Sequence, residues 1–163
     1  MVLDADGNRI RSLTNGDVDV GEVIGTDEAN RWLYYLSPVS SERPYDQVPH
    51  RVSFDGGTAK ALSTESGIFN ASLSPSKTHL VWTHADYNRA SSAELATVDG
   101  SELVSLESVE TPVNILGAPI PENTVFESFD GSTVHATIFK PADFDPSESY
   151  PVIHRDYGAM QSR

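Results

Sequence analysis

Three short units built around an Asp-Gly turn recur along the chain, and that recurrence limits the fold more than any other feature. Ala5-Asp6-Gly7 leads to Leu13-Thr14, Phe54-Asp55-Gly56 to Leu62-Ser63, and Val98-Asp99-Gly100 to Leu103 and Leu106. Leu13, Leu62 and Leu106 are 49 and 44 residues apart. An Asp-Gly pair accepts the positive φ of a tight hairpin, and the flanking residues roughly alternate polar with apolar. Each unit therefore reads as strand, turn, strand. A second recurring unit lies between them: Val23-Ile24-Gly25 then Trp32-Leu33-Tyr34-Tyr35-Leu36, echoed by Ala71-Ser72-Leu73 then Leu80-Val81-Trp82-Thr83. Tyr35 and Trp82 are 47 residues apart, close to the hairpin period.

A repeat of about 45 residues holding four short strands is what a β-propeller blade requires, since each blade is a four-stranded antiparallel sheet. Residues 1–108 are accordingly expected to contain the end of one blade and about two further blades. Helical signal is scarce: no window keeps apolar residues at i, i+3, i+4 and i+7 over three turns, and the ten prolines and eleven glycines fall between strand candidates. Residues 41–49 (SERPYDQVP) read as a polar loop and residues 86–93 as a turn-rich one. From Glu107 onward, Pro112, Gly117, Pro119 and Pro121 break any regular element, so residues 109–122 are assigned to a linker. Asn123 to Phe139 is expected to form a hairpin around Asp130-Gly131, with Phe126, Val134 and Ile138 as core positions.

Charge and composition exclude several classes of function. The net charge is −13, from 24 acids against 11 bases, and no basic patch offsets it, so nucleic acid and anionic membrane surfaces would be repelled. With no cysteine there is no disulfide, thiol nucleophile or Cys-ligated zinc. No signal sequence and no apolar run of membrane-spanning length is present in these residues, and the compartment is left open. The histidines His50, His79, His84, His135 and His154 are scattered; His79 and His84 are five apart, which in a strand puts them on opposite faces. Asp4, Asp6, Gly7 and Asn8 have a faint calcium-loop look, but Leu13 stands where the bidentate acid belongs, so a hairpin turn explains them better. Neither a metal nor a cofactor is expected. The sequon Asn70-Ala71-Ser72 is too short to carry an argument.

The last quarter of the chain adds an ordered series: Asp130-Gly131, Lys140-Pro141, Phe144-Asp145-Pro146, Tyr150-Pro151, the apolar pair Val152-Ile153, and Tyr157. With the propeller-like repeats upstream, this resembles the passage from β-propeller to α/β-hydrolase domain in the prolyl oligopeptidase family of serine peptidases, its dipeptidyl peptidase IV branch in particular. The resemblance implies an all-β chain of antiparallel propeller blades followed, at 123–163, by the first strands of an incomplete α/β-hydrolase domain. It also implies that Tyr157 donates its hydroxyl to the oxyanion of a tetrahedral intermediate, a role suited to a phenol that stays neutral at pH 7. Two departures bear on that role: His154-Arg155-Asp156 interrupts the apolar strand, and Gly158-Ala159-Met160 replaces the family's glycine pair and proline.

No G-x-S-x-G elbow occurs in the sequence, and no acid and histidine follow Tyr157, so the Ser-Asp-His triad is not encoded here. The resemblance thus implies a fragment of a serine-type dipeptidyl peptidase. Its parent would remove N-terminal dipeptides from peptide substrates through an acyl-enzyme, and is compatible with a periplasmic or secreted location. The chain alone is expected to be inactive and prone to self-association through exposed blade edges. The alternative is a non-catalytic propeller serving as a protein-interaction module, which explains the repeats equally well but leaves Phe144-Asp145-Pro146 and Tyr150-Pro151 without a purpose.

Overall fold

The computed structural model describes residues 1–15, 18–87, 89–108 and 119–155. The chain divides into two compact units, Met1–Glu110 and Thr111–Arg163, and every regular element among the described residues is a strand. The first unit opens with a small hairpin, β1 (Val2–Leu3) and β2 (Arg9–Arg11). Next come β3 (Val23–Asp27), β4 (Trp32–Ser37), β5 (Val48–Ser53) and β6 (Lys60–Ala61), then β7 (Ile68–Leu73), β8 (His79–Asp86), β9 (Arg89–Thr97) and β10 (Leu103–Ser108). β3 to β6 form one four-stranded antiparallel sheet in chain order, and β7 to β10 form another.

The pleat decides what each sheet buries. Along β8, Leu80, Trp82 and His84 point to the buried side while His79, Val81 and Thr83 are exposed. From the facing sheet come Tyr34 and Leu36 of β4 and Val48 of β5, joined by Leu62 and Phe69 in one apolar cluster with Leu80, Trp82 and Ala96. Phe69 packs edge-on to Trp82 with ring centroids 5.9 Å apart, and the Trp82 indole N–H donates to Glu94 Oε2 at 2.7 Å, so its polar edge is satisfied. The opposite face of the β3–β6 sheet carries a second cluster of Leu13, Tyr35 and Val52, against which Val2 of β1 packs. One sheet thus lies between β1–β2 and the next sheet, as radial stacking of blades requires.

Asx turns close the β1–β2 and β9–β10 hairpins. Asp4 Oδ1 accepts from the N–H groups of Asp6 and Asn8 at 3.0 and 2.8 Å, which identifies residues 4–8 as the hairpin turn that their sequence suggests. Asp99 Oδ1 accepts from the Ser101 N–H at 3.0 Å in the same manner. At the other end, the link between the sheets is tied down. Gly67 O accepts from Gln47 N–H at 2.9 Å, and the buried His84 ring stacks on Phe69 at 4.2 Å with its Nε2 2.7 Å from Ser66 O.

Two boundaries differ from expectation. Residues 89–93 are strand rather than loop, because β8 and β9 continue pairing to Asp86 and Arg89. The 41–49 loop is shorter than its composition suggests, since Val48 already pairs with Ser37. The linker assigned to 109–122 falls mostly outside the described residues, and regular structure resumes at Glu122.

In the second unit, β11 (Glu122–Glu127) and β12 (Thr133–Ile138) form an antiparallel hairpin in continuous register, Glu122 opposite Ile138 and Glu127 opposite Thr133. It turns at Asp130-Gly131, as expected. Phe126 and Ile138 are not core residues: they are 52 % and 44 % exposed. Val134 is half-buried. A two-stranded ribbon has two faces and does not bury either by its own pairing. Val152 and Ile153, expected to restart a strand, are exposed and unpaired among the described residues.

Candidate functional site: a cleft between two sheets

Tyr157, the expected oxyanion donor, lies outside the described residues. The motif residues that precede it are brought together. Phe144 and Tyr150 stack at 5.1 Å, the Asp145 N–H donates to the Tyr150 hydroxyl at 2.8 Å, and the Lys140 ammonium sits 4.8 Å over the Phe144 ring. Lys140 also pairs with Glu122 at 2.6 Å, which anchors the turn to the start of β11. Phe144-Asp145-Pro146 and Tyr150 therefore fold into a compact aromatic clasp whose visible work is structural.

Within the first unit, a cleft of about 360 Å³ opens between the two sheets at the end carrying the Asp-Gly turns. Its lining comes from the β3–β4 turn (Asp27, Asn30), from Trp32, Tyr34 and Arg51, and from the facing turns that hold Lys77, Thr78, Thr97, Val98, Asp99 and Ser101. Register explains the grouping. Tyr34 pairs with Arg51 across β4 and β5, and Trp32 lies two residues before Tyr34, so all three project from one face.

The electrostatics of the cleft follow from local bonds. Asp99 accepts from the hydroxyls of Ser101 and Thr97, each at 2.7 Å, and these bonds, Ser101 first, hold its carboxyl far below the usual carboxylate range. The Asn30 side-chain amide donates to Asp27 at 2.8 Å and lowers its pKa likewise. Arg51 lies 4.4 Å over the Trp32 ring and donates to Val98 O at 3.3 Å. Lys60 donates to Asp99 O at 2.6 Å. The Tyr34 side chain is fully buried; its hydroxyl makes no well-formed hydrogen bond but lies beside the Arg51 guanidinium, and burial pushes its pKa up against the pull of that charge.

Sequence reasoning did not single out this cleft. Asp99 reads as a turn residue and Trp32 and Tyr34 as strand apolars; Arg51 is the one available signal, a charge inside an otherwise buried strand. The histidines do not converge. His50 stacks on Tyr35 in the cluster behind the sheet, His84 is buried and His79 is exposed. Among the described residues no three His, Asp or Glu side chains gather in a metal-binding arrangement, and no helix is long and apolar enough to cross a membrane.

Two face-packed, four-stranded antiparallel meanders of this kind are blades of a β-propeller. Residues 1–90 match the family described as the dipeptidyl peptidase IV (DPP IV) N-terminal region, and the chain belongs to that family. The crystal structure of Porphyromonas gingivalis dipeptidyl peptidase 4 is similar over 91 % of this chain and 21 % of its own, with a TM-score of 0.73 and 24 % identity. The AtxE2 isopeptidase is similar over 82 % of this chain and 20 % of its own, with a TM-score of 0.58 and 13 % identity. The chain thus spans about a fifth of the length of either solved protein.

Proposed function

We propose that the chain is part of a serine-type dipeptidyl peptidase that releases N-terminal dipeptides through an acyl-enzyme. It would supply late propeller blades that restrict access to the catalytic centre, and the first strands of the hydrolase domain from residue 123. One observation carries the reading: membership of the DPP IV N-terminal family, followed in the same chain by the ordered series from Asp130-Gly131 to Tyr157. In this proposal Tyr157 donates to the oxyanion, while the serine, acid and histidine come from residues other than these.

The chain by itself has no peptidase activity on this reading. It is also poorly stable, because the outer face of the β7–β10 sheet leaves Ile68, Val81 and Val104 exposed and would drive self-association. The test compares hydrolysis of a chromogenic dipeptide anilide by the isolated 163 residues and by the whole protein that carries them, with and without Tyr157→Phe. Activity in the whole protein alone, with kcat falling about 10²- to 10³-fold in the variant, is expected. Turnover by the isolated chain, or none by the whole protein, overturns the reading, and the latter would leave a protein-interaction propeller.

A further inference from the structure

We propose that Asp6-Gly7 is a modification site, where the chain converts without an enzyme to isoaspartate and so becomes a substrate for methyl transfer to the displaced carboxylate. Four Asp-Gly pairs occur, at Asp6, Asp55, Asp99 and Asp130. In each the glycine has no side chain to shield its nitrogen, and its φ is positive: 85°, 86°, 69° and 82° in turn. The four glycine N–H groups are bonded alike, to Asp4 O at 3.1 Å, Ser53 O at 3.0 Å, Thr97 O at 2.9 Å and Ser128 O at 2.9 Å. The glycines therefore do not separate the four pairs.

The carboxylates do. Asp99 accepts from Thr97 Oγ1 and Ser101 Oγ at 2.7 Å each and from the Ser101 N–H at 3.0 Å. Asp130 accepts from Ser132 Oγ at 2.6 Å and from the Ser132 N–H at 3.0 Å. Asp55 is held by Arg31 through Nη2 at 2.6 Å and Nε at 3.0 Å. At Asp99 and Asp130 the sequence explains the hold, since a serine two residues on reaches back to the aspartate. In the first turn that position is Asn8, and both its side-chain amide and its N–H are drawn to Asp4 instead, at 3.0 and 2.8 Å. Asp6 donates its own N–H to Asp4, but its carboxylate accepts no hydrogen bond and forms no ion pair among the described residues. Asp6 and Gly7 are both exposed.

The step needs only the chain and water. The Gly7 nitrogen attacks Asp6 Cγ; a C–N bond forms as the Cγ–OH bond breaks, and the nitrogen's proton leaves with the hydroxyl as water. Water then adds to the cyclic imide, and opening at the former main-chain carbonyl leaves Asp6 joined to Gly7 through its side chain, with mass and oxidation state unchanged. The carboxyl must be neutral to lose its hydroxyl, and it must swing onto the glycine nitrogen. Bonds to the carboxylate oppose both, because they favour the anion and fix its torsion. Arg31 at Asp55, Ser101 at Asp99 and Ser132 at Asp130 hold those carboxyls below the usual carboxylate range, and a pKa lower by one reduces the neutral fraction about tenfold. The lengthened backbone of the product also needs room. Nothing lies within 4 Å of a Cβ position at Gly7, whereas at Gly100 Leu62 O is 3.2 Å away.

The test is to age the whole protein that carries this chain for weeks in neutral buffer, digest it, and locate isoaspartate residue by residue through electron-transfer fragmentation. Methyl transfer from S-adenosylmethionine to the digestion peptide that carries Asp6, by an isoaspartate methyltransferase, is the second readout. Isoaspartate at Asp6 is expected to exceed that at Asp99 and at Asp130 about tenfold, and the Asp6 peptide to accept methyl groups. Asp6→Glu, whose added methylene disfavours the ring, removes both signals. Ser132→Ala, in an exposed turn, raises isoaspartate at Asp130 severalfold and leaves Asp6 as it was. Equal levels at the four pairs, a maximum at any of the other three, or no rise at Asp130 in Ser132→Ala overturns the proposal. None of these readouts involves peptide hydrolysis, so the outcome is independent of the peptidase reading.

Discussion

Replacing Gly67 with alanine should cost far more than the same change at Gly56, although both glycines have positive φ. Gly67 has φ of 124° and sits in the segment joining the two sheets. A Cβ there would lie 2.6 Å from Ala85 O, 3.1 Å from His84 Nε2 and 3.2 Å from Asp86 Cβ. The first of these is a backbone atom paired into the sheet and cannot swing aside. Gly56 has φ of 86° and open space around its position. The backbone term is about 1–2 kcal/mol for an L-residue forced to positive φ, and it applies to both sites. Crowding a packed site adds about 1–3 kcal/mol, and only Gly67 bears it. Gly67→Ala is therefore expected to destabilise by about 2–5 kcal/mol and Gly56→Ala by about 1–2 kcal/mol. Equilibrium urea unfolding followed by tryptophan emission reads this directly, because Trp82 lies in the core beside Phe69. If the two variants unfold within about 0.5 kcal/mol of each other, the close approach of Gly67 to Ala85 does not govern the junction.

Tyr34→Phe should change stability by no more than about 1 kcal/mol, since the hydroxyl it deletes is buried without a well-formed hydrogen bond; urea midpoints check this. His50 is buried, and burial pushes its pKa below the ordinary 6.5 although Val48 O, accepting from Nδ1–H, opposes the shift. The unfolded chain then takes up the proton at higher pH than the folded one, so stability from this site is full above about 6.5 and declines as pH falls through that value. Measured from about pH 7.5 to 5, the urea midpoint of wild type should fall relative to that of His50→Leu. Val104→Lys, on the exposed face of the edge strand β10, should reduce self-association of the isolated chain in sedimentation velocity; an unchanged distribution would place the contact elsewhere.

Much of this architecture is local chemistry and was readable as such. Asp-Gly turns recur because glycine takes the positive φ at Gly7, Gly56, Gly100 and Gly131 while Asp4, Asp99 and Asp130 accept from backbone N–H groups of their own turns, and the turns at Asp6, Asp55, Asp99 and Asp130 each join two strands. The five-residue spacing of His79 and His84 assigned them to opposite faces before any partner sheet was known, and along β8 they do alternate. Repeat length then implied four strands per unit, and the two complete sheets have four. Residues 89–93 misled because Ser and Ala are common in loops, yet β9 borrows its order from β8 on one side and β10 on the other.

The sequence by itself determined the turns and most of the strands they join, because these depend on neighbours within a few residues. Only the tertiary structure decided what the faces of those strands meet. Arg51 and Tyr34 are 17 positions apart and Asp99 is a further 48 beyond Arg51. They share a cleft because β4 and β5 pair in one register and the next sheet then brings its β9–β10 turn over them. The same is true of Phe126 and Ile138: alternation can nominate a core position, but burial needs a second layer of structure to supply the contact.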